Sequence, residues 1–406
     1  MTRPATLKGT FTIQQRDETH FLDRTTKKMS DILAQEHLRL RVTVDKNSII
    51  IGDRYRQGRA IPGFKFVSTD TFERLFKRLR LVDFAMAYFD GTMQVLGSVA
   101  DAVDVLDAMN LATDRTQTPS EFVKLLFFRA FKAVTSSSMH KFESLDHYAQ
   151  SAEAYELFLD SHMQYTCGYF RTGKETLDEA QVSKFELINQ LTGPLTGKSH
   201  LDIGCGWGGL MDFFQNQYGT FSQGITNCRP QSDYINKRYG VKAILGDFGE
   251  LKDNGEQFDL VTVVGMMEHL TPWRQNQLFK MIHELLKNDG YVYLQCIAKP
   301  ACWIGGDAYR IVQREIFPGH YLDYTTNIEK RLKRCGFVVR TQLDHTSHYA
   351  LTTAYWVDKI QCEKARLIAF LGERQYRSYL GYLAMASKMF ATGRGCLMRY
   401  VLTKNK

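Results

Sequence analysis

The sequence predicts an α/β fold in which a parallel sheet carries helices on both faces, preceded by a smaller, mostly helical domain. Three observations support this. Over the second half of the chain, short apolar runs alternate with amphipathic stretches, as in a parallel sheet wrapped by helices. One run, Leu201-Asp202-Ile203, ends in the glycine-rich turn Gly204-Cys205-Gly206-Trp207-Gly208-Gly209 and leads into a helical pattern. Upstream of Thr135-Ser136-Ser137-Ser138 the chain is mostly helical in pattern with some strand, for example at Ser48–Gly52 and Phe64–Ser68. The serine run is read as a linker that separates an accessory domain, 1–138, from a catalytic domain, 139–406.

In order along the catalytic part, strands are expected at His200–Gly204, Phe221–Thr226, Lys242–Gly246, Asp259–Gly265 and Tyr291–Ile297. Helices such as Gln231–Tyr239 and Trp273–Leu286 fall between them. Phe337–Leu343 and Cys396–Leu402 are expected to complete the sheet edge. A ligand belongs at the carboxyl ends of such strands.

The turn after the first of these strands has the spacing G-x-G-x-G. Without a Cβ at those positions a ligand can lie against the backbone. Asp202 stands at the strand end, where a cationic amino group can be held. The third glycine of the dinucleotide pattern is matched only loosely. Together these features point to S-adenosylmethionine and to a Rossmann-like methyltransferase sheet.

A chain of 406 residues has room for a large core and more than one domain. It contains no run of eighteen apolar residues, so no transmembrane helix is expected. Met1–Arg16 lacks the apolar core of a secretory signal. Eight cysteines without paired spacing fit reduced thiols in the cytoplasm. The net charge of +8 suits an anionic membrane surface, nucleic acid or plain solvation equally. No basic strip with interleaved aromatics lies near the glycine turn, which argues against nucleic acid. No His/Cys cluster has zinc spacing, so no metal is expected.

Further motifs follow in a fixed order. Met163-Gln164-Tyr165-Thr166-Cys167-Gly168-Tyr169-Phe170 precedes the glycine turn. Gly265-Met266-Met267-Glu268-His269 ends the fourth strand, and Ile316-Phe317-Pro318-Gly319 follows the fifth. Ser347-His348-Tyr349-Ala350-Leu351-Thr352 and Gly393-Arg394-Gly395-Cys396-Leu397-Met398-Arg399-Tyr400 come last. In this order, from about Asp146 to the C-terminus, the chain resembles the cyclopropane-fatty-acyl-phospholipid synthases, a family that includes the mycolic acid cyclopropane synthases. A weaker likeness reaches Phe84-Ala85-Met86-Ala87-Tyr88-Phe89-Asp90-Gly91.

The resemblance implies attack of a cis double bond of an acyl chain on the sulfonium methyl, then loss of a proton from the new methyl and ring closure. It implies bicarbonate as the base, held by Glu268, Tyr349 and the backbone of Cys167 and Ile297. It implies cofactor contacts at Tyr165, Thr166, Gly204, Gly206, Gly208, Thr226, Gln231, Asp247, Phe248 and Gly265. Its partners would be unsaturated phospholipid acyl chains at the inner face of the membrane, met by a cytoplasmic, peripherally bound enzyme, with a homodimer as one possible assembly. One position departs from the pattern. Where the family has His two residues before Ile297, this chain has Gln295, which donates a hydrogen bond but carries no charge.

Bland roles stand beside these. Cys167 suits a small buried hydrophobe, Glu268 a helix cap, Tyr349 a core aromatic with its hydroxyl satisfied and Gly265 a tight turn. His269 is expected to pack, and His345 and His348 are left unassigned. Phe72–Arg80 and Phe122–Lys132 mix apolar and basic residues, as interfacial helices or amphipathic core helices do. Tyr376, Tyr379 and Tyr382 either roof an acyl channel or pack on the sheet. Three functions remain open alongside ring formation: a methyl or methylene branch, methylation of a soluble small molecule, and a binding protein without chemistry.

Overall fold

A computed structural model describes residues 27–52, 61–114, 152–251, 255–301 and 307–405. The chain divides into two compact units, one of residues 1–130 with 306–311 and one of 131–305 with 312–406. The serine run and Phe122–Lys132 lie outside the described residues.

In the first unit, β1 (Leu40–Val44), β2 (Asn47–Ile51), β3 (Gly63–Phe66) and β4 (Met93–Leu96) form one sheet in the order β2-β1-β3-β4. The helices Thr69–Arg78, Leu81–Asp90 and Val99–Asp114 accompany it. Among the described residues of this unit helical positions outnumber strand positions, but the unit is organised around this sheet. Ser68 caps the first of these helices by accepting from the Thr71 N–H. Phe72, Leu75 and Phe76 on that helix are all buried. Phe72 and Phe76 meet Phe66 of β3 with ring centroids 5.5 and 5.8 Å away. The apolar face of Phe72–Arg80 therefore belongs to the core of its own unit, and the interfacial reading of that stretch is corrected.

The second unit is a seven-stranded sheet in the order β10-β11-β9-β8-β5-β6-β7. β5 (Ser199–Ile203), β6 (Phe221–Thr226), β7 (Lys242–Leu245), β8 (Phe258–Val264) and β9 (Leu286–Ala298) run parallel to one another. β10 (Phe337–Asp344) and β11 (Cys396–Lys404) close the sheet antiparallel. The Cys396 strand is not the edge, because it inserts between β9 and β10.

Strand alternation sorts the residues onto two buried faces. Leu201, Ile203, Val261, Val263, Val292, Leu294, Met398 and Tyr400 pack with Leu278, Phe279 and Ile282 of the helix Pro272–Leu285. Their neighbours in sequence, Leu260, Val264, Tyr293 and Val401, pack on the other face against Phe185 and Ile188 of the helix Leu177–Thr192 and Leu210 and Phe214 of the helix Gly209–Tyr218. By the same alternation Asp202, Thr262, Gln295, Ile297 and Arg399 fall on this second face. Among the described residues no helix is long and apolar enough to cross a membrane.

Candidate functional site

The glycine turn follows β5, and its three glycines do different work. All three have positive φ, 78° at Gly204, 55° at Gly206 and 85° at Gly208. A Cβ at Gly204 would stand 2.6 Å from the Met266 side chain, and one at Gly208 would stand 2.7 Å from Ile235. At Gly206 it would meet nothing within 4 Å. Gly206 is thus the one of the three that opens onto free space, while the other two accommodate the protein's own packing. Gly209 is tighter still, since a Cβ there would lie 1.9 Å from the His162 carbonyl oxygen. Gly265, with φ 71°, would drive a Cβ to 2.8 Å from the Thr166 methyl, so its turn and the close approach of Thr166 are one requirement.

Asp202 is 3% exposed, and Thr262 Oγ1 donates to it at 2.6 Å. Because Thr262 has one proton to give, its oxygen must accept from His200 Nε2, 2.9 Å away. His200 Nδ1 then accepts from the Ser222 hydroxyl at 3.1 Å. Burial lowers the His200 pKa to about 3, so the ring is neutral, as this order of protons requires. Burial raises the Asp202 carboxyl to about 6 against the opposing Thr262 hydrogen bond.

Thr226 Oγ1 donates to Gln231 Oε1 at 2.8 Å, so these two sequence-matched residues meet after β6. Asp247 is committed differently. Arg274 Nη2 donates to both its oxygens at 2.6 and 2.5 Å, and the same guanidinium lies 4.1 Å over the Phe248 ring. Arg274 thus ties Asp247 and Phe248 into one unit, a link the sequence reading lacked.

The segment Gln164–Phe170 is held along its length. Asp160 accepts from the Gln164 and His162 N–H groups. Lys184, fully buried on the helix Leu177–Thr192, donates to Gln164 Oε1 and Thr166 Oγ1, each at 2.9 Å. Burial pushes the Lys184 pKa down and the Asp160 pKa up. Gln181 Nε2 donates to the Thr166 carbonyl. The Gly168 N–H donates to Thr352 Oγ1 at 3.1 Å and the Phe170 N–H to His348 Nδ1 at 3.2 Å. Tyr165 packs between Tyr155 and Trp356, with centroids 5.6 and 4.9 Å away.

Cys167 is fully buried, and its thiol donates to the Gly168 carbonyl. Burial pushes its pKa up to about 11 even with Arg399 nearby, so the sulfur is uncharged and is no nucleophile. Glu268 lies in the short 3-10 turn Met267–His269 and is 3% exposed. The Ile297 N–H donates to its Oε1 at 3.3 Å, and Oε2 has no hydrogen-bond partner among the described residues. Burial pushes its pKa up to about 7, against the pull of the Ile297 N–H. It does not cap the helix Pro272–Leu285; Thr271 does, accepting from the Arg274 N–H. The Phe317 turn packs on this corner. The Tyr321 N–H donates to the Glu268 carbonyl, and His269 meets Phe317 and His320 edge-on or tilted at 5.2 and 5.6 Å.

Tyr349 sits on the helix Thr346–Cys362, one turn before Thr352, and stacks on Phe390 at 4.5 Å. Tyr379 hydrogen-bonds Tyr155, and Tyr382 packs edge-on against Phe317, so both make packing contacts within this unit.

Gln295 is 1% exposed, and its Oε1 accepts from Arg399 Nε at 2.9 Å, across the β9–β11 register that pairs the two residues. Arg399 is also 1% exposed, and its Nη2 donates to the Cys167 and Gly168 carbonyls at 3.1 and 2.9 Å. The predicted base-end residues are therefore joined through bonds the sequence did not reveal. Glu268 reaches β9 at Ile297, Gln295 reaches Arg399, Arg399 reaches Cys167, and Gly168 reaches Thr352, a turn from Tyr349. Arg399 is the residue that sequence reasoning missed. Its signal was a lone charge inside the apolar run Cys396-Leu397-Met398-Arg399-Tyr400-Val401.

The chain is similar in sequence and fold to proteins of known activity. The chain is 29% identical over 274 residues to the cyclopropane mycolic acid synthase MmaA2 of Mycobacterium tuberculosis, covering 64% of this chain and 95% of that one. The structure of that synthase superposes with a TM-score of 0.61 at 27% identity, over 64% of this chain and 97% of the other. Mycolic acid cyclopropane synthase CmaA1, solved in complex with SAH and CTAB, gives a TM-score of 0.60 at 27% identity, with coverage of 64% and 97%. Coclaurine N-methyltransferase, at 17% identity and a TM-score of 0.63, shares the fold over 80% of this chain and 99% of its own. The family model for mycolic acid cyclopropane synthetase matches residues 135–399, more than half of the chain and the whole span from the serine run to Arg399, and the protein belongs to that family.

Proposed function

We propose that this protein is an S-adenosylmethionine-dependent enzyme that adds a methylene unit across the cis double bond of an unsaturated phospholipid acyl chain. The observation that carries this reading is Glu268: a buried carboxyl with one unengaged oxygen, tied through Ile297 to the strand that bears Gln295.

The residues fit the cofactor. Gly206 leaves open space where a side chain would stand, with Thr226 and Gln231 after β6 and Thr166 over Gly265. When bound there, S-adenosylmethionine supplies an electrophilic methyl. The protein positions the acceptor, excludes water and removes one proton. Exclusion of water matters because a cation formed on the alkene would be trapped by any nucleophile. The neutral Cys167 thiol and neutral His200 are consistent with that demand. The orphaned Glu268 Oε2 suits a small hydrogen-bonding oxyanion, and bicarbonate, with Glu268, Tyr349 and the Cys167 and Ile297 backbone around it, is the base we propose. The Cys167 carbonyl already accepts from Arg399, which leaves it one further lone pair.

The phospholipid substrate, inner-membrane association, cytoplasmic location and a homodimer are parts of this proposal. So is the assignment of 1–138 as an accessory lipid-interaction domain and 139–406 as the catalytic domain. Support comes from the resemblance to phospholipid-acting synthases. In the test, purified protein is incubated with labelled S-adenosylmethionine and vesicles whose phospholipids carry cis-unsaturated or saturated chains. S-adenosylhomocysteine release that needs the double bond, with a lipid product one CH2 heavier and no remaining alkene, supports the reading. Turnover indifferent to unsaturation sinks it in favour of a soluble acceptor. A product that keeps its alkene indicates a methylene branch.

A further inference from the structure

Arg399 is a guanidinium sealed in the core without a countercharge. It is 1% exposed, and among the described residues none of its hydrogen bonds goes to a carboxylate. Its Nε and Nη2 are spent on three neutral oxygens: Gln295 Oε1 and the Cys167 and Gly168 carbonyls. Its Nη1 has no hydrogen-bond partner among the described residues. The Tyr169 ring, 5.7 Å away, adds a cation–π contact. Burying a charge without a partner ion is strongly unfavourable, because the lost hydration is not repaid. A strand position that needed only to be filled would be served by an apolar residue like its neighbours Met398 and Tyr400.

We infer that Arg399, together with Gln295, is the fixed cationic anchor for a small oxyanion at the base end of the site, with Arg399 Nη1 as the donor left for it. This rests on the function proposed above. Gln295 alone carries no charge. Its amide oxygen is committed to Arg399, which fixes which end of the amide faces away from the guanidinium. The positive charge that a histidine at this position would carry in its protonated form is thus moved across the β9–β11 pair. A guanidinium suits the task better than an ammonium, since its planar fork grips three acceptors and still has a donor to spare. Arg399 is also a positioning residue, because it holds the Cys167–Gly168 carbonyls.

The test uses full-length protein in degassed, carbonate-free buffer at fixed pH. Bicarbonate is titrated, with sodium nitrate and chloride as controls, and both the melting temperature and 13C-bicarbonate line broadening are read without S-adenosylmethionine or lipid. Wild type is expected to respond to bicarbonate. Arg399→Lys is expected to bind it at least about tenfold more weakly, the worth of one charge-assisted hydrogen bond, with KM for S-adenosylmethionine unchanged. Arg399→Met is expected to lose the response. Should it fail to fold, Arg399→Lys and the paired Gln295→His/Arg399→Gln decide. The pair restores a hydrogen-bonded partner at each position and is expected to regain the response that Arg399→Gln alone loses. Equal bicarbonate responses in wild type and Arg399→Lys overturn the inference, as does a wild type that ignores bicarbonate. A wild type that binds bicarbonate through Arg399 but modifies no lipid would instead overturn the function proposed above and leave the anchor standing.

Discussion

Replacing Glu268 with glutamine changes one proton and one charge while keeping shape, and the structure sets the size of the effect. Burial lifts this carboxyl from 4.5 to about 7. At ~1.4 kcal/mol per pH unit, that is about 3 kcal/mol. The sign follows from where the proton binds more tightly. The folded protein holds it up to about pH 7, whereas the unfolded chain releases it near 4.5. Stability therefore falls as pH rises through that window, and the full cost is present above pH 7. Glu268→Gln removes the cost. The variant is expected to melt above wild type at pH 8, by about 6–12 °C at 2–4 °C per kcal/mol, and the gap should close towards pH 5. Lipid-dependent S-adenosylhomocysteine release should be lost in the variant. In wild type it should fall about tenfold per pH unit below 7, if the ionised carboxyl is the working form. Differential scanning fluorimetry across pH 5–8 reads the first effect and a coupled assay the second. A melting gap that does not change with pH would refute the claim that burial controls this group.

Other outcomes test the geometry. Gly209→Ala places a Cβ 1.9 Å from the His162 carbonyl and should cost about 3 kcal/mol or more in a melting experiment. Gly206→Ala, with open space around it, should cost only about 1–2 kcal/mol of left-handed strain but weaken S-adenosylhomocysteine binding measured by calorimetry. With its thiol pushed up to about 11, Cys167 should resist iodoacetamide at pH 8 while exposed Cys362 reacts, and Cys167→Ala should keep activity; peptide mass spectrometry reads the labelling. Phe76→Ala should destabilise the first unit by about 3–5 kcal/mol without altering vesicle co-sedimentation of the protein that remains folded, because this ring is core.

Elements whose signal is local were legible. β6 falls at Phe221–Thr226 as expected, and β5, β7 and β8 differ from expectation by a residue or so at their ends, because a fully buried parallel strand announces itself as a short apolar run. β9 was foreseen only in its second half. It starts at Leu286, immediately where the preceding helix stops, and the run Leu286-Lys287-Asn288-Asp289-Gly290 has no strand periodicity; pairing to Phe258 holds it. The first unit's sheet was half seen, since β1 and β4 are too short and mixed to stand out without their partners.

The site divides in the same way. Motif order singled out Glu268, Tyr349, Cys167 and Gln295 as candidates, because each lies in a stretch of characteristic local sequence. What holds them did not show. Lys184 is one helical lysine among many until burial and its bonds to Gln164 and Thr166 single it out. Asp247 was expected as a cofactor contact with Phe248, and nothing local showed that Arg274, 27 positions on, clamps it.

By itself, then, the sequence determined the alternation of strand and helix, the glycine turn and the order of the motifs that carry the candidate residues, all of which depend on neighbours within a few positions. Only the tertiary structure decided which glycine faces open space, which way Gln295 is held and that a buried Arg399 stands behind it. Those depend on pairing between strands a hundred residues apart, and on burial, which sets the cost of every unpaired charge and so shifts attention from the glutamine to the arginine beside it.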